Sequence, residues 1–172
     1  MPRVLGIDPG VSETGWAVLE GEASSPRLIA AGLIKTFPSA ELPARLAHIH
    51  GELTRLFAEH APESVAVEEM FFVKIANTIR GTLQARGVIL LAAAQASRPI
   101  SEYNPKTVKL SLTGSGKAEK AQMQAVVQKA LGLAERLRPD DVADAAAIAL
   151  CHLRAQRLKG MRVLDRFGAR KA

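Results

Sequence analysis

Val4-Leu5-Gly6-Ile7-Asp8-Pro9-Gly10 is an apolar run that ends on a carboxylate and breaks at a Pro-Gly pair. Residues 3–8 read as a buried strand, and the segment Asp8 to Ser12 as the turn after it. Thr14-Gly15-Trp16-Ala17-Val18-Leu19 reads as a second strand and Leu28 to Ile34 as a third. The connections are short, which predicts an antiparallel meander. A helix is expected from near Ser39, because Leu42, Leu46, Ile49, Leu53 and Leu56 draw one apolar stripe, and Pro62 ends it. Ser64-Val65-Ala66-Val67-Glu68 is a fourth strand, closing like the first on a carboxylate. A largely apolar helix spans about Asn77 to Ser97, placed for burial or a subunit contact. Pro99 to Glu102 is a fifth strand. Asn104-Pro105 caps a short helical turn, Ala118 to Leu131 is an amphipathic helix stopped by Gly132, and a last helix covers roughly Asp140 to Leu158. The order predicts one α/β domain, a five-stranded sheet with helices packed on it.

The chain has 172 residues, suited to a single domain, with no internal repeat or linker. No apolar run is long enough to cross a bilayer, and the strand pattern begins too early for a signal peptide. Cys151 is the only cysteine. An intrachain disulfide is therefore impossible, and a reducing, cytoplasmic setting fits. The formal charge of +6 favours polyanionic partners, nucleic acid above all.

That basic balance contrasts with an acidic set. Asp8 and Glu68 end strands, while Asp141 and Asp144 lie three apart in the first turn of the last helix and so share one side of it. Carboxylates brought to one point repel unless cations hold them, and oxygen donors select hard cations such as magnesium or manganese. Two such ions about 4 Å apart suit phosphodiester hydrolysis. Each acid also has a plainer explanation. Asp8 can be a turn residue, Asp141 can complement the helix dipole, and Asp140 beside it can be a cap. Glu69 competes with Glu68, although alternation puts Glu68 on one sheet face with Ala66, and Glu69 on the other with Val65 and Val67.

Five sets of segments run in order along the chain: Gly6-Ile7-Asp8-Pro9-Gly10 with Thr14-Gly15-Trp16-Ala17-Val18, Ala66-Val67-Glu68-Glu69-Met70-Phe71, Gln84-Ala85-Arg86-Gly87, Ala118-Glu119-Lys120, and Ala143-Asp144-Ala145-Ala146-Ala147-Ile148-Ala149. As an ordered series they resemble the bacterial RuvC Holliday-junction resolvases. The resemblance covers about residues 3–155. It implies a ribonuclease H-like fold with a mixed sheet over residues 1–158. The basic residues after it, 159–172, read on their own as a flexible tail at the chain terminus. The resemblance further implies a homodimer that makes paired, magnesium-dependent nicks in four-way DNA junctions, alongside the RuvA–RuvB branch-migration machinery. Its metal ligands fall on Asp8, Glu68, Asp141 and Asp144, with Asp140 the departure that leaves the third ligand open.

The same resemblance puts Lys109 and Lys120 near the scissile phosphate and Phe71 against a base. Phe72, Lys74 and Lys117 are further candidate DNA contacts. Aromatic rings stack on unpaired bases, and lysines supply compact charge to phosphate. Arg154 and the tail cations are expected to add nonspecific attraction, and the four histidines to be structural. Three rivals remain. A sugar-kinase or actin-like ATPase shares the Gly-Ile-Asp-Pro-Gly loop but needs a longer chain. A noncatalytic scaffold would not keep all four acids, and a related nuclease would act on RNA.

Overall fold

Alternation along the first strand, β1 (Arg3–Asp8), sorts its side chains between two layers. The computed structural model describes residues 1–69 and 77–168, with side chains throughout except at 77–78 and 158–168. Leu5 and Ile7 enter one core with Ile49, Leu53, Leu56 and Ile89. Val4 enters the other, with Val108, Met123, Val127 and the alanine-rich last helix. Gly6 and Asp8 share the face of Val4 by the same alternation.

Strand β2 (Glu13–Glu20) and strand β3 (Arg27–Lys35) follow as the expected antiparallel meander. Helix α1 (Leu42–His60) crosses back, and β4 (Ser64–Glu68) joins the sheet parallel to β1. Helix α2 (Asn77–Gln95) leads to β5 (Ile100–Tyr103), parallel to β4. The sheet order is β3-β2-β1-β4-β5, a mixed five-stranded sheet as expected. Helices α3 (Pro105–Thr113), α4 (Lys120–Ala130) and α5 (Asp140–Gly168) complete the chain. Among the described residues α1 and α2 cover one face of the sheet, while α3, α4 and α5 cover the other.

Helix α5 extends beyond the expected end at Leu158, so residues 159–168 of the basic tail are helical. Those residues contain no proline, and Gly160 alone costs only about 1 kcal/mol in a helix, too little to stop it. Arg154 also differs from expectation. Its guanidinium donates to the Ser111 carbonyl oxygen, tying α5 to α3.

Two strand glycines set how closely α5 sits. A Cβ on Gly6 would collide with the Ala145 carbonyl oxygen and stand 2.8 Å from the Ala149 Cβ. A Cβ on Gly15 would collide with the Asp141 carbonyl oxygen. Ala145, Ala146 and Ala149 present a shallow helix surface, all buried, that matches the missing side chains. Gly6→Ala is expected to push α5 outward and cost about 1–3 kcal/mol, the usual penalty of overpacking. Thermal melts should record a Tm lower by several degrees. Gly51→Ala, on an exposed face of α1 with open space around it, should leave Tm unchanged or raise it.

Candidate metal centre and nucleic-acid cleft

Adjacent parallel strands end together, so β1 and β4 deliver their terminal carboxylates to one edge of the sheet. Ile7 is in register with Val67, which places Asp8 beside Glu68 at the next step. Ala66 packs in the core under α5 while Val65 and Val67 pack in the opposite core. Glu68 therefore lies on the α5 side. Glu69 donates its backbone N–H to the Tyr103 carbonyl oxygen at 2.8 Å, continuing the contact with β5.

From above, the first turn of α5 brings down Asp141 and Asp144. One carboxylate oxygen from each of Asp8, Asp141 and Asp144 lies within 4.8 Å of the others. Asp140 points elsewhere. Its carboxylate accepts from Gln124 Nε2 at 2.7 Å and pairs with Lys120 Nζ at 3.1 Å, so it is not in the convergent trio.

The turn after Asp8 is fixed by side chains from afar. Thr14 donates its hydroxyl to the Gly10 carbonyl oxygen at 2.6 Å, and Thr36 donates to Val11 at 2.5 Å. Arg45 then donates to Thr36 Oγ1 at 2.8 Å and to Ser12 Oγ at 2.9 Å. A ligand support needs this rigidity. Sequence reading missed Thr36 and Arg45, whose partners lie 25 and 33 residues away. Nothing local marks such pairs.

Burial and crowding act on the acids together. Asp8 is pushed up to about 8, first by burial and then by the charges of Glu68, Asp144 and Asp141, with Lys120 opposing. Glu68 is raised by burial and by Asp144, against the pull of Lys109. Asp144 is raised by burial, although Lys120 draws it back. Burial pulls the Lys120 ammonium down, but its bonds to Asp140 and Asp144 outweigh that and hold it above its ordinary value. Among the described residues, Lys120 to Asp144 at 3.4 Å is the only salt bridge made by any of Asp8, Glu68, Asp141 and Asp144. Among the described residues no arginine pairs with any of the four. A compact, all-oxygen, mutually repelling donor group fits a hard divalent cation.

Beside the trio lies a cleft of about 200 Å³ whose walls include Glu68, Asp144, Lys109, Lys120, Val108 and Met123. Helix α3 supplies Pro105, Val108 and Lys109 to one wall, and Asn104 caps that helix by accepting from the Lys106 N–H at 2.8 Å. Lys109 and Lys120 thus line the same cleft as Glu68 and Asp144, with Lys120 in contact with Asp144. Lys117 does not line this cleft. It is exposed, in the loop before α4, with its N–H donating to Ser115 Oγ at 3.3 Å. Phe71, Phe72 and Lys74 lie outside the described residues. His152 is structural as expected, buried against Ser64 and Tyr103. Cys151 is a buried free thiol. No helix among the described residues is long and apolar enough to cross a membrane.

Comparison with known proteins agrees with this geometry. A family model described as crossover junction endodeoxyribonuclease RuvC matches residues 4–152. The chain is similar to the crossover junction endodeoxyribonuclease RuvC of Syntrophomonas wolfei, 47% identical over 156 residues and 91% of each chain. It is similar to that of Salinispora arenicola, 50% identical over 152 residues, covering 88% of this chain and 87% of the other. Among solved structures, Thermus thermophilus RuvC in complex with Holliday junction substrate superposes with a TM-score of 0.88 at 36% identity. That match covers 92% of this chain and 97% of that one.

Proposed function

This chain belongs to the RuvC family of crossover junction endodeoxyribonucleases, and from that membership we propose that it resolves Holliday junctions. It would nick two opposed strands of a four-way DNA junction at symmetric positions during recombination and repair. The convergence of Asp8, Asp141 and Asp144 within 4.8 Å, at the mouth of a lysine-flanked cleft, carries the reading. Asp8, Glu68, Asp141 and Asp144 would hold magnesium, for which manganese can substitute. Two divalent ions in such a site supply an activated water and stabilise charge on the departing oxygen.

The protein's own groups do the rest. Strand ends and a helix face hold the four carboxylates in fixed relation, so little reorganisation is needed when substrate arrives. Lys109 and Lys120 attract the backbone, and Lys120 donates to the scissile phosphate as negative charge builds. Phe71 and Phe72 would stack on bases unpaired at the crossover, with Lys74 and Lys117 contacting the flanking backbone.

A twofold substrate calls for a twofold enzyme. The outer face of α2 supports a homodimer. Leu91 is 52% exposed and Leu83 is exposed beside it, while Gly87 has open space around its Cα. A mid-helix glycine costs about 1 kcal/mol relative to alanine, a cost explained if another helix approaches there. The RuvA–RuvB branch-migration complex is the partner such a resolvase would work beside, in the cytoplasm.

One assay separates this reading from its rivals. Four-way junction, linear duplex and RNA–DNA hybrid of matched sequence are offered with magnesium. Paired nicks in the junction alone are expected, with at least tenfold preference over duplex. Equal cutting of duplex, or preference for the hybrid, would overturn junction resolution.

A further inference from the structure

Asp140 belongs to the acidic stretch that opens α5, yet it stands apart from the convergent trio, and both its oxygens are in use. Oδ1 accepts from Gln124 Nε2 at 2.7 Å and Oδ2 meets Lys120 Nζ at 3.1 Å. Lys120 and Gln124 are four residues apart on α4, so they project from the same face. One carboxylate from α5 thus bridges two successive turns of α4. The Lys120 ammonium lies between Asp140 and Asp144, 3.4 Å from the latter. Hydrogen bonds from Lys120 and then Gln124 hold the Asp140 carboxyl below its usual range.

Lysine carries four rotatable bonds and points freely when exposed. Lys120 is 53% exposed, so packing alone does not fix it. Asp144 cannot be its lasting anchor, because that carboxylate belongs to the set that would turn to a cation. Asp140, oriented by Gln124 and outside that set, has no such competing demand. We propose that Asp140 is a positioning residue, which with Gln124 holds the Lys120 ammonium at the mouth of the cleft, where the scissile phosphate would lie. This rests on the assignment of Lys120 to that phosphate.

The proposal makes rate and affinity move in opposite directions. A merely solvated Asp140 would repel DNA, and its loss would tighten binding and leave cleavage unchanged or faster. A positioning Asp140 gives slower cleavage despite binding that is unchanged or tighter. With enzyme saturating over junction, Asp140→Ala is expected to lower the single-turnover rate about three- to tenfold, the scale of an exposed but geometrically useful pair. Junction affinity, measured without divalent ion, should stay the same or increase. Asp140→Asn keeps an acceptor oxygen and should recover part of the rate. Gln124→Ala, which leaves every charge in place, should slow cleavage about twofold or more.

A double-mutant cycle completes the test. In a Lys120→Met background, Asp140→Ala should have no further effect on rate. An unchanged rate for Asp140→Ala in the otherwise native chain would overturn the proposal. So would an equal loss in the Lys120→Met background, since Asp140 would then act through packing. If Lys120→Met itself cleaved normally, the assignment of Lys120 would fall too. Slow Lys120→Met with normal Asp140→Ala would sink the positioning role alone.

Discussion

Asp8→Asn is expected to abolish cleavage, by at least about a thousandfold, while four-way junctions still bind with near-native affinity. The side chain keeps its size, so β1 and the turn clamped by Thr36 and Arg45 should persist. What disappears is one anionic donor at the centre of the acidic trio. Gel-shift binding in calcium or without divalent ion should be preserved, because the cations that attract DNA are untouched. Nicking in magnesium should be undetectable. A variant that cuts normally would remove Asp8, and with it the whole centre, from the chemistry.

The second large effect is a loss of stability with rising pH that divalent ion offsets. Asp8 in the folded chain is raised from 3.8 to about 8. The native state therefore holds a proton that the unfolded state gives up near pH 4. Stability from this group is full below about pH 4, falls as pH rises, and is lost once pH passes 8. Glu68 and Asp144, raised in the same direction, add to the slope. Metal-free protein should melt lower at pH 8 than Asp8→Asn does, by a few kcal/mol, or about 5–10 °C for a chain of this size. Near pH 4 the two should melt together. Magnesium at a hundred times its dissociation constant adds about 2.7 kcal/mol to the native protein, and much less to Asp8→Asn. Equal melts of the two proteins at pH 8 without metal would mean that neither burial nor the neighbouring carboxylates penalise a charged Asp8.

The elements of the fold were legible because each carries its own period. Leu5 and Ile7 alternate with Val4 and Gly6, and Ile49, Leu53 and Leu56 step along α1, so strands and helices declared themselves locally. The antiparallel meander followed from its short connections. The edge on which the acids meet was partly legible, since Asp8 and Glu68 both close strands and alternation gave Glu68 the face of Ala66. What local pattern could not supply was the depth to which α5 sinks. That depends on the missing side chains of Gly6 and Gly15 meeting Ala145, Ala149 and Asp141, residues more than a hundred positions away. For the same reason the Asp140-Asp141 pair was not separable in the sequence, since nothing local marks the contacts of Asp140 with Lys120 and Gln124 on α4. The expected end of α5 near Leu158 fell short of Gly168, because no proline or cap signal marks the stop and Arg and Leu are good helix formers.

Asp8 and Glu68 come from the first half of the chain, whereas Asp141 and Asp144 arrive with the last helix. A polypeptide emerging from the ribosome holds only two members of the set until α5 is synthesised and laid against β1 and β2. The centre proposed for these acids can therefore assemble only after α5 has been made, and a chain ending before α5 would carry two of the four carboxylates.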